Sequence, residues 1–374
     1  MEGTKKYPSK RLLEIKTEEL YDLAYRAINY ATGKYTIISF DMTYINPKYT
    51  EEGYNEESFK FLSELIYNPN VKNNKIEDSN FNLSCNIMKD YLKTLPENPV
   101  VYSQMRMLEE MDDSIISYRN SGYIEDLENI DSRKLYEYYK DVIDNDIVDI
   151  FVIGDIEEHE VCDLIDKYMK FDNNIKSQDS HFYTHKKIED NINFVNEKVD
   201  KEQSTLVVGL KTDDLSDFEK RYVLSIYNYI LGGSTESNLF KTVREENSLC
   251  YYITSSFQAL LNIGIIRSGI NSKDYEATIS LINKELKNMC EGKFDKNKIE
   301  NAKTTYINGL TELEDNPDNI ISLYAGMEYL KSDNIDVRKE NIKKVTFEDI
   351  VSLAKKIHLT TIYLLEGCDT NEED

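Results

Sequence analysis

The stretch GGSTESNLFKTVREENSLCYYITSSF, residues 232–257, decides how the chain is read. Gly232, Gly233 and Ser234 act as a breaker. SNLFKTVREEN then has a helical pattern, and LCYYITSSFQALLNIGIIRSGI reads as a pair of strands or a long hairpin. The glycines follow a helical pattern rather than a strand, and no GxxxxGKS or GxxxxGKT occurs. They therefore read as a helix C-cap and turn, not as a phosphate cradle. Just upstream lie a strand, QSTLVVGLK (203–211), and a helix, DFEKRYVLSIYNYIL (217–231). Downstream, helical patterns cover about 273–291, 294–314 and 317–331. TFEDIVSLAKKI and TTIYLLEG close the half as helix and strand.

The first half has the same order of elements. Residues 7–31 read as a helix with Leu12, Leu13, Leu20, Leu23 and Ala27 on one stripe. Tyr35–Ile45 is β-rich and stops at Asn46-Pro47. Helical patterns follow at roughly 56–67, 81–95 and 100–119. SRKLYEYYKDVI reads as a helix, IVDIFVIGDI as a buried strand, and 156–171 as one more helix. Local matches recur in register order: Leu13 and Leu23 with Leu239 and Leu249, Tyr25 with Tyr251, YLKTLPENP (91–99) with GLTELEDNP (309–317), and Gly154 with Gly367. This order implies a duplicated α+β domain, each copy a sheet with helices packed on one face. The expected division is an N-terminal domain at 1–171, a linker at 172–195, a C-terminal domain at 196–367 and an acidic tail at 368–374. The second copy has 41 residues from Lys198 to Asn238, whereas 12 precede Leu13. The first domain is therefore expected to lack about 29 residues, its opening strand and helix, so that the chain starts inside it.

Composition excludes several functions. The chain has 374 residues, 45 basic and 69 acidic, a formal charge of −24. A field of that sign repels phosphate backbones, so nucleic acid is not an expected partner. No apolar run approaches the ~18 residues that a membrane span needs. The beginning, MEGTKKYPSKRLL, has no apolar core of a secretory signal. Five scattered cysteines without a CxxC pair fit buried single thiols in a reducing cytoplasm. His181 and His185 are spaced to share a helix face, but their surroundings are polar and no carboxylate stands between them. They read as solvated histidines of a linker or edge strand rather than metal ligands.

The 232–257 stretch resembles the C-terminal-domain signature of the pitrilysin/insulinase family of zinc metallopeptidases, in which a glycine-rich turn leads to an Arg and then to a Tyr seven residues on. Arg244 and Tyr251 have that spacing. The order of elements agrees from about Tyr7 to Gly367. The phrases GTKKYPSKRLLEIKTEELYDLAY and FEDIVSLAKKI are similar to a noncatalytic bacterial branch often named for an association with modification of elongation factor P. The resemblance implies two homologous α+β domains forming half of a clamshell. Active members carry HxxEH on a helix of the first domain, with two His on zinc, the Glu activating water, and a distant acid as third ligand. No HxxEH occurs in this sequence. The third-ligand position falls near Asp90, which without two histidines reads as an ordinary helix-surface acid.

Arg244 and Tyr251 are the candidate substrate-binding residues, with no catalytic or metal-binding residue assigned. Arg244 can clamp a carbonyl or carboxylate, and Tyr251 can donate to a carbonyl oxygen. The plain alternative is that Arg244 pairs with Glu245 or Glu246 and Tyr251 lies on a core strand. Tyr252 and Glu245 flank the pair without an assigned role. The expected protein is a noncatalytic subunit without its own cofactor. It would pair with an HxxEH-bearing homologue that carries the zinc, or with a second copy of itself, around a peptide substrate. Two other readings stay open: an active zinc endopeptidase whose metal helix lies upstream of this start, and a pure assembly scaffold. An exposed edge strand in the second domain is expected to accept a further strand by β-addition.

Overall fold

The computed structural model describes residues 3–112, 114–170, 179–185, 187–189 and 191–368. In chain order the first elements are α1 (Lys10–Glu19), β1 (Ala24–Thr32), β2 (Tyr35–Thr43), α2 (Tyr54–Tyr67), β3 (Val71–Lys72), β4 (Lys75–Ile76), α3 (Asp78–Thr94) and α4 (Pro99–Met111). Next come α5 (Ile124–Leu127), α6 (Ser132–Asn145) and α7 (Glu158–Tyr168). The second half has β5 (Asn193–Lys198), β6 (Ser204–Thr212), α8 (Leu224–Leu231), β7 (Cys250–Gln258), β8 (Ile263–Ile270), α9 (Tyr275–Cys290) and α10 (Asn297–Glu312). It ends with α11 (Pro317–Leu330), α12 (Ile335–Lys344), α13 (Phe347–Ala354) and β9 (Ile357–Glu366).

The chain divides into two compact units, and they do not follow the sequence halves. Unit 1 takes residues 1–31, 35–94 and 120–179; unit 2 takes 32–34, 95–119 and 180–374. The expected N-terminal domain at 1–171 therefore does not pack as one body, because α4 belongs to unit 2. Of the expected linker, 172–178, 186 and 190 lie outside the described residues, as does the acidic tail from 369 on.

In unit 1, Ser9 caps α1 by accepting from the Leu12 N–H, and Leu13, Leu20 and Leu23 pack with Tyr54, Phe61 and Leu65 of α2. The helix expected over 7–31 ends at Glu19. Tyr21 and Asp22 adopt left-handed backbone angles, and AYRAINYAT then runs extended to pair with β2 across a turn in which Gly33 has φ +59°. The alternation of β-branched and aromatic side chains outweighs the helical stripe there. IVDIFVIGDI is not a buried strand. Residues 147–153 lie outside the strands, and Ile147, Val148, Ile150, Val152 and Ile153 are exposed. Among the described residues the sheets of unit 1 are two-stranded, and neither takes this stretch as a third strand.

Unit 2 is built on a five-stranded sheet of order β5-β9-β6-β8-β7. β6 is central and buried along its whole length, antiparallel to β8 and β9, and β5 joins β9 in parallel. Alternation sends Leu206, Val208 and Leu210 to one face, where Ile226, Ile230, Ile282 and Ile350 of the helices close the main core. Val207 points the other way, with Ile265 and Tyr363, and meets Met107 and Met111 of α4. The sheet is thus covered by several helices on one face and by α4, supplied from the N-terminal half, on the other. The helix expected over 100–119 stops at Met111. Asp112 turns extended, and its carboxylate takes the buried Lys211 ammonium at 2.6 Å.

Candidate functional site

Arg244 lies in a wide, π-type helical stretch, Phe240–Glu246. Such widenings recur at functional sites because they re-aim side chains. Its guanidinium stands 4.8 Å from the Phe240 ring centre, a cation–π contact. Among the described residues no carboxylate comes within 4.0 Å of it, so the expected alternative pairing with Glu245 or Glu246 does not form. Glu246 instead faces Lys241. The stretch ends at Ser248, whose φ of +55° reverses the chain, while the Leu249 N–H donates to the Val243 carbonyl at 3.0 Å.

That reversal delivers the chain into β7, an edge strand. The β7–β8 register shifts between Cys250, opposite Ile270, and Tyr252, opposite Gly269. Tyr251 is the extra residue of a β-bulge, which turns its side chain outward. It is 59% exposed, and its hydroxyl donates to Asn271 Oδ1 at 3.2 Å. The alternative of Tyr251 on a core strand does not hold either. Burial pushes the Cys250 thiol up in pKa, and the Ser268 hydroxyl and the Arg244 charge oppose this. Arg244 and Tyr251 thus flank the 247–249 turn. Both are exposed; Arg244 offers donors to carbonyl or carboxylate oxygens, and Tyr251 can do so by exchanging its bond to Asn271 for one to a ligand.

Asp90 is exposed on α3, as expected of a surface acid. Among the described residues no group of three or more His, Cys, Asp or Glu is arranged to hold a metal. The two spaced histidines are buried rather than solvated. Their segment lies along the β7–β8 turn: the Tyr183 N–H donates to the Leu260 carbonyl at 2.8 Å, and Asn262 Nδ2 donates to the Tyr183 carbonyl at 2.6 Å. His185 Nε2 is 3.0 Å from the Asn262 carbonyl, which can only accept, so the proton sits on Nε2. His185 Nδ1 is then left 3.6 Å from Asp112 Oδ2.

Three residues that the sequence reading gave no role share the α4-covered face of the sheet: Gln104 and Arg267, which it did not single out, and Tyr252, which it named only as a flanking position. The signal for Arg267 was a single arginine inside the apolar run IGIIRSGI. Nothing in the sequence pattern connected it to Gln104 or chose Tyr252 over its neighbours.

Residues 129–306, which include Arg244 and Tyr251, match the family described as the peptidase M16 inactive domain. The chain is 27% identical over 380 residues to the probable inactive metalloprotease YmfF of Bacillus subtilis strain 168, covering 99% of this chain and 87% of that protein. It is 25% identical over 256 residues to the uncharacterized zinc protease YmxG of the same strain, covering 61% of this chain and 60% of that protein. A crystal structure of a conserved protein from Enterococcus faecalis V583 superposes with a TM-score of 0.90 at 25% identity, covering 99% of this chain and 88% of that one. The peptidase M16 inactive domain from Pseudomonas fluorescens shares the fold, with a TM-score of 0.77 at 13% identity, covering 98% of this chain and 86% of that one.

Proposed function

We infer that this M16-like chain is a noncatalytic subunit that pairs with an HxxEH-bearing homologue in peptide or protein processing, in the cytoplasm. The observation that carries the reading is the Arg244–Tyr251 pair. The residues keep their spacing inside the stretch that matches the M16 inactive domain and stand exposed at an edge strand, with the Arg244 guanidinium free of any carboxylate among the described residues. Donors at a strand edge can hold a peptide backbone without cleaving it, whereas hydrolysis needs an activated water. In this reading Arg244 and Tyr251 hold substrate while the partner supplies zinc and its water.

The test is zinc content and peptidase activity of the purified chain, alone and mixed with its homologue. The expected result is no activity alone and activity in the mixture. With Arg244→Ala the mixture is expected to lose at least tenfold in kcat/KM while the complex still forms. Peptidase activity from the isolated chain would sink the proposal. Unchanged activity of the Arg244→Ala and Tyr251→Phe mixtures would leave the chain an assembly scaffold.

A further inference from the structure

The α4-covered face of unit 2 holds a charge that the protein itself does not answer. Arg267 extends from β8, opposite Val207 of β6 on one side and Thr254 of β7 on the other. Its contact is with a neutral amide: Nη1 donates to Gln104 Oε1 of α4 at 3.1 Å. Its Nε is buried without a hydrogen-bond acceptor, and among the described residues no carboxylate lies within 4.0 Å of the guanidinium. The contrast with α4 is informative. Arg106 reaches Glu109, Glu110 and Glu197, and Arg119 is held by Glu109. The same layer thus gives its other arginines carboxylates and leaves Arg267 with none. A guanidinium taken partly out of water without a counter-charge is costly.

A second group with the same need lies beside it. The Tyr252 hydroxyl is buried with no partner within hydrogen-bond geometry. Gly269 makes room for this ring: a Cβ there would stand 2.6 Å from Tyr252 Cε1 and 2.7 Å from Gln203 Nε2. Burial raises the Tyr252 pKa, while the Arg267 charge and the nearby Thr205 hydroxyl, which makes no hydrogen bond of good geometry with it, lower it, so the phenol is a neutral donor within the field of the guanidinium. Solvent is one strand away: Thr254 of the edge strand β7, directly opposite Arg267, is exposed.

We propose that Arg267 and Tyr252 form a carboxylate-binding site between α4 and the β7 edge, which selects the acidic side chain or the free C-terminus of an extended peptide lying along β7. The site rests on the peptide-binding part of the reading above and adds a substrate class to it. The net charge of −24 does not oppose this at contact, because repulsion from distant surface acids is screened beyond about 8 Å in physiological salt.

The test uses the full chain and fluorescence anisotropy with three labelled six-residue peptides of alternating threonine and valine. One is blocked at both ends with a central glutamate, one has glutamine there, and one has glutamine and a free C-terminal carboxylate. The expected result is about tenfold tighter binding of one or both carboxylate peptides than of the neutral one, and the better binder names the source. Arg267→Gln is expected to abolish the preference at an unchanged melting temperature. Tyr252→Phe removes a hydroxyl that makes no internal hydrogen bond of good geometry, so it is expected to fold, to weaken the carboxylate peptide several-fold and to leave the neutral one unchanged. Equal binding of all three peptides, no binding of any, or a preference that survives both substitutions overturns the proposal. Copurification with the homologue is scored separately. Loss of pairing with the carboxylate preference intact defeats the subunit reading and leaves this site standing.

Discussion

His185 shows how much of a residue's chemistry depends on neighbours that are distant in sequence. The spacing HFYTH was legible, but its burial was not, because the groups that cover it come from the β7–β8 turn and from Asp112. Burial holds the imidazole below its ordinary value near 6.5, with the Lys211 charge acting in the same direction, and His181 shifts the same way. On acidification the unfolded chain therefore binds the proton first. The stabilisation is complete above about pH 6.5 and is lost as pH falls through the depressed native value. Thermal melts from about pH 7.5 to pH 5 are expected to show Tm falling below about 6.5. His185→Gln, which keeps a donor for the Asn262 carbonyl, is expected to flatten that slope; an unchanged slope removes His185 as its source. At the candidate site the seven-residue step from Arg244 to Tyr251 was readable. The bulge that turns Tyr251 outward was not, because a one-residue slip leaves no mark on an apolar pattern.

Among the elements, α4 was recognised as a helix, yet its position was not. Its packing depends on Gly209 at the middle of β6, where an added Cβ would meet Met111 Cε and Met107 Sδ, with Thr361 Cβ at 3.3 Å. Gly209 also sits where the β6–β9 register shifts. Gly209→Ala is expected to cost about 1–3 kcal/mol in urea unfolding, because the methionines must move off a packed sheet. A neutral result would mean that α4 is loosely seated. Elements with thin apolar stripes escaped the sequence reading altogether. β5 is a mostly exposed edge strand, and α12 buries Ile335 and Ile342 alone. α13, in contrast, announced itself: Thr346 and Asp349 form a full capping box ahead of a strongly apolar face. Thr346→Ala is expected to cost about 1 kcal/mol, read in the same urea titration.

For the whole molecule, the α+β class was legible because helical and strand periodicities are both present along the chain. The compact units were not, because helices and strands from one half can complete a sheet in the other. Unit 2 holds a continuous core around β6 and β8, while unit 1 leaves apolar side chains of β1, β2 and 147–153 exposed. Hydrogen exchange followed by mass spectrometry is expected to find the slowest amides in β6 and β8 and much faster exchange in the β1–β2 hairpin. Equal protection of both would contradict this ranking.

Because residues 32–34 and 95–119 belong to a unit whose remainder lies beyond residue 179, the chain cannot be dissected at the junction between its sequence halves. A fragment beginning at residue 196 would leave Val207, Ile265 and Tyr363 bare to water and would aggregate or bind the missing helix from solution. Separately expressed halves should find each other, in the manner of a split reporter. Such halves give a genetic handle on assembly, with α4 as the transferable tag.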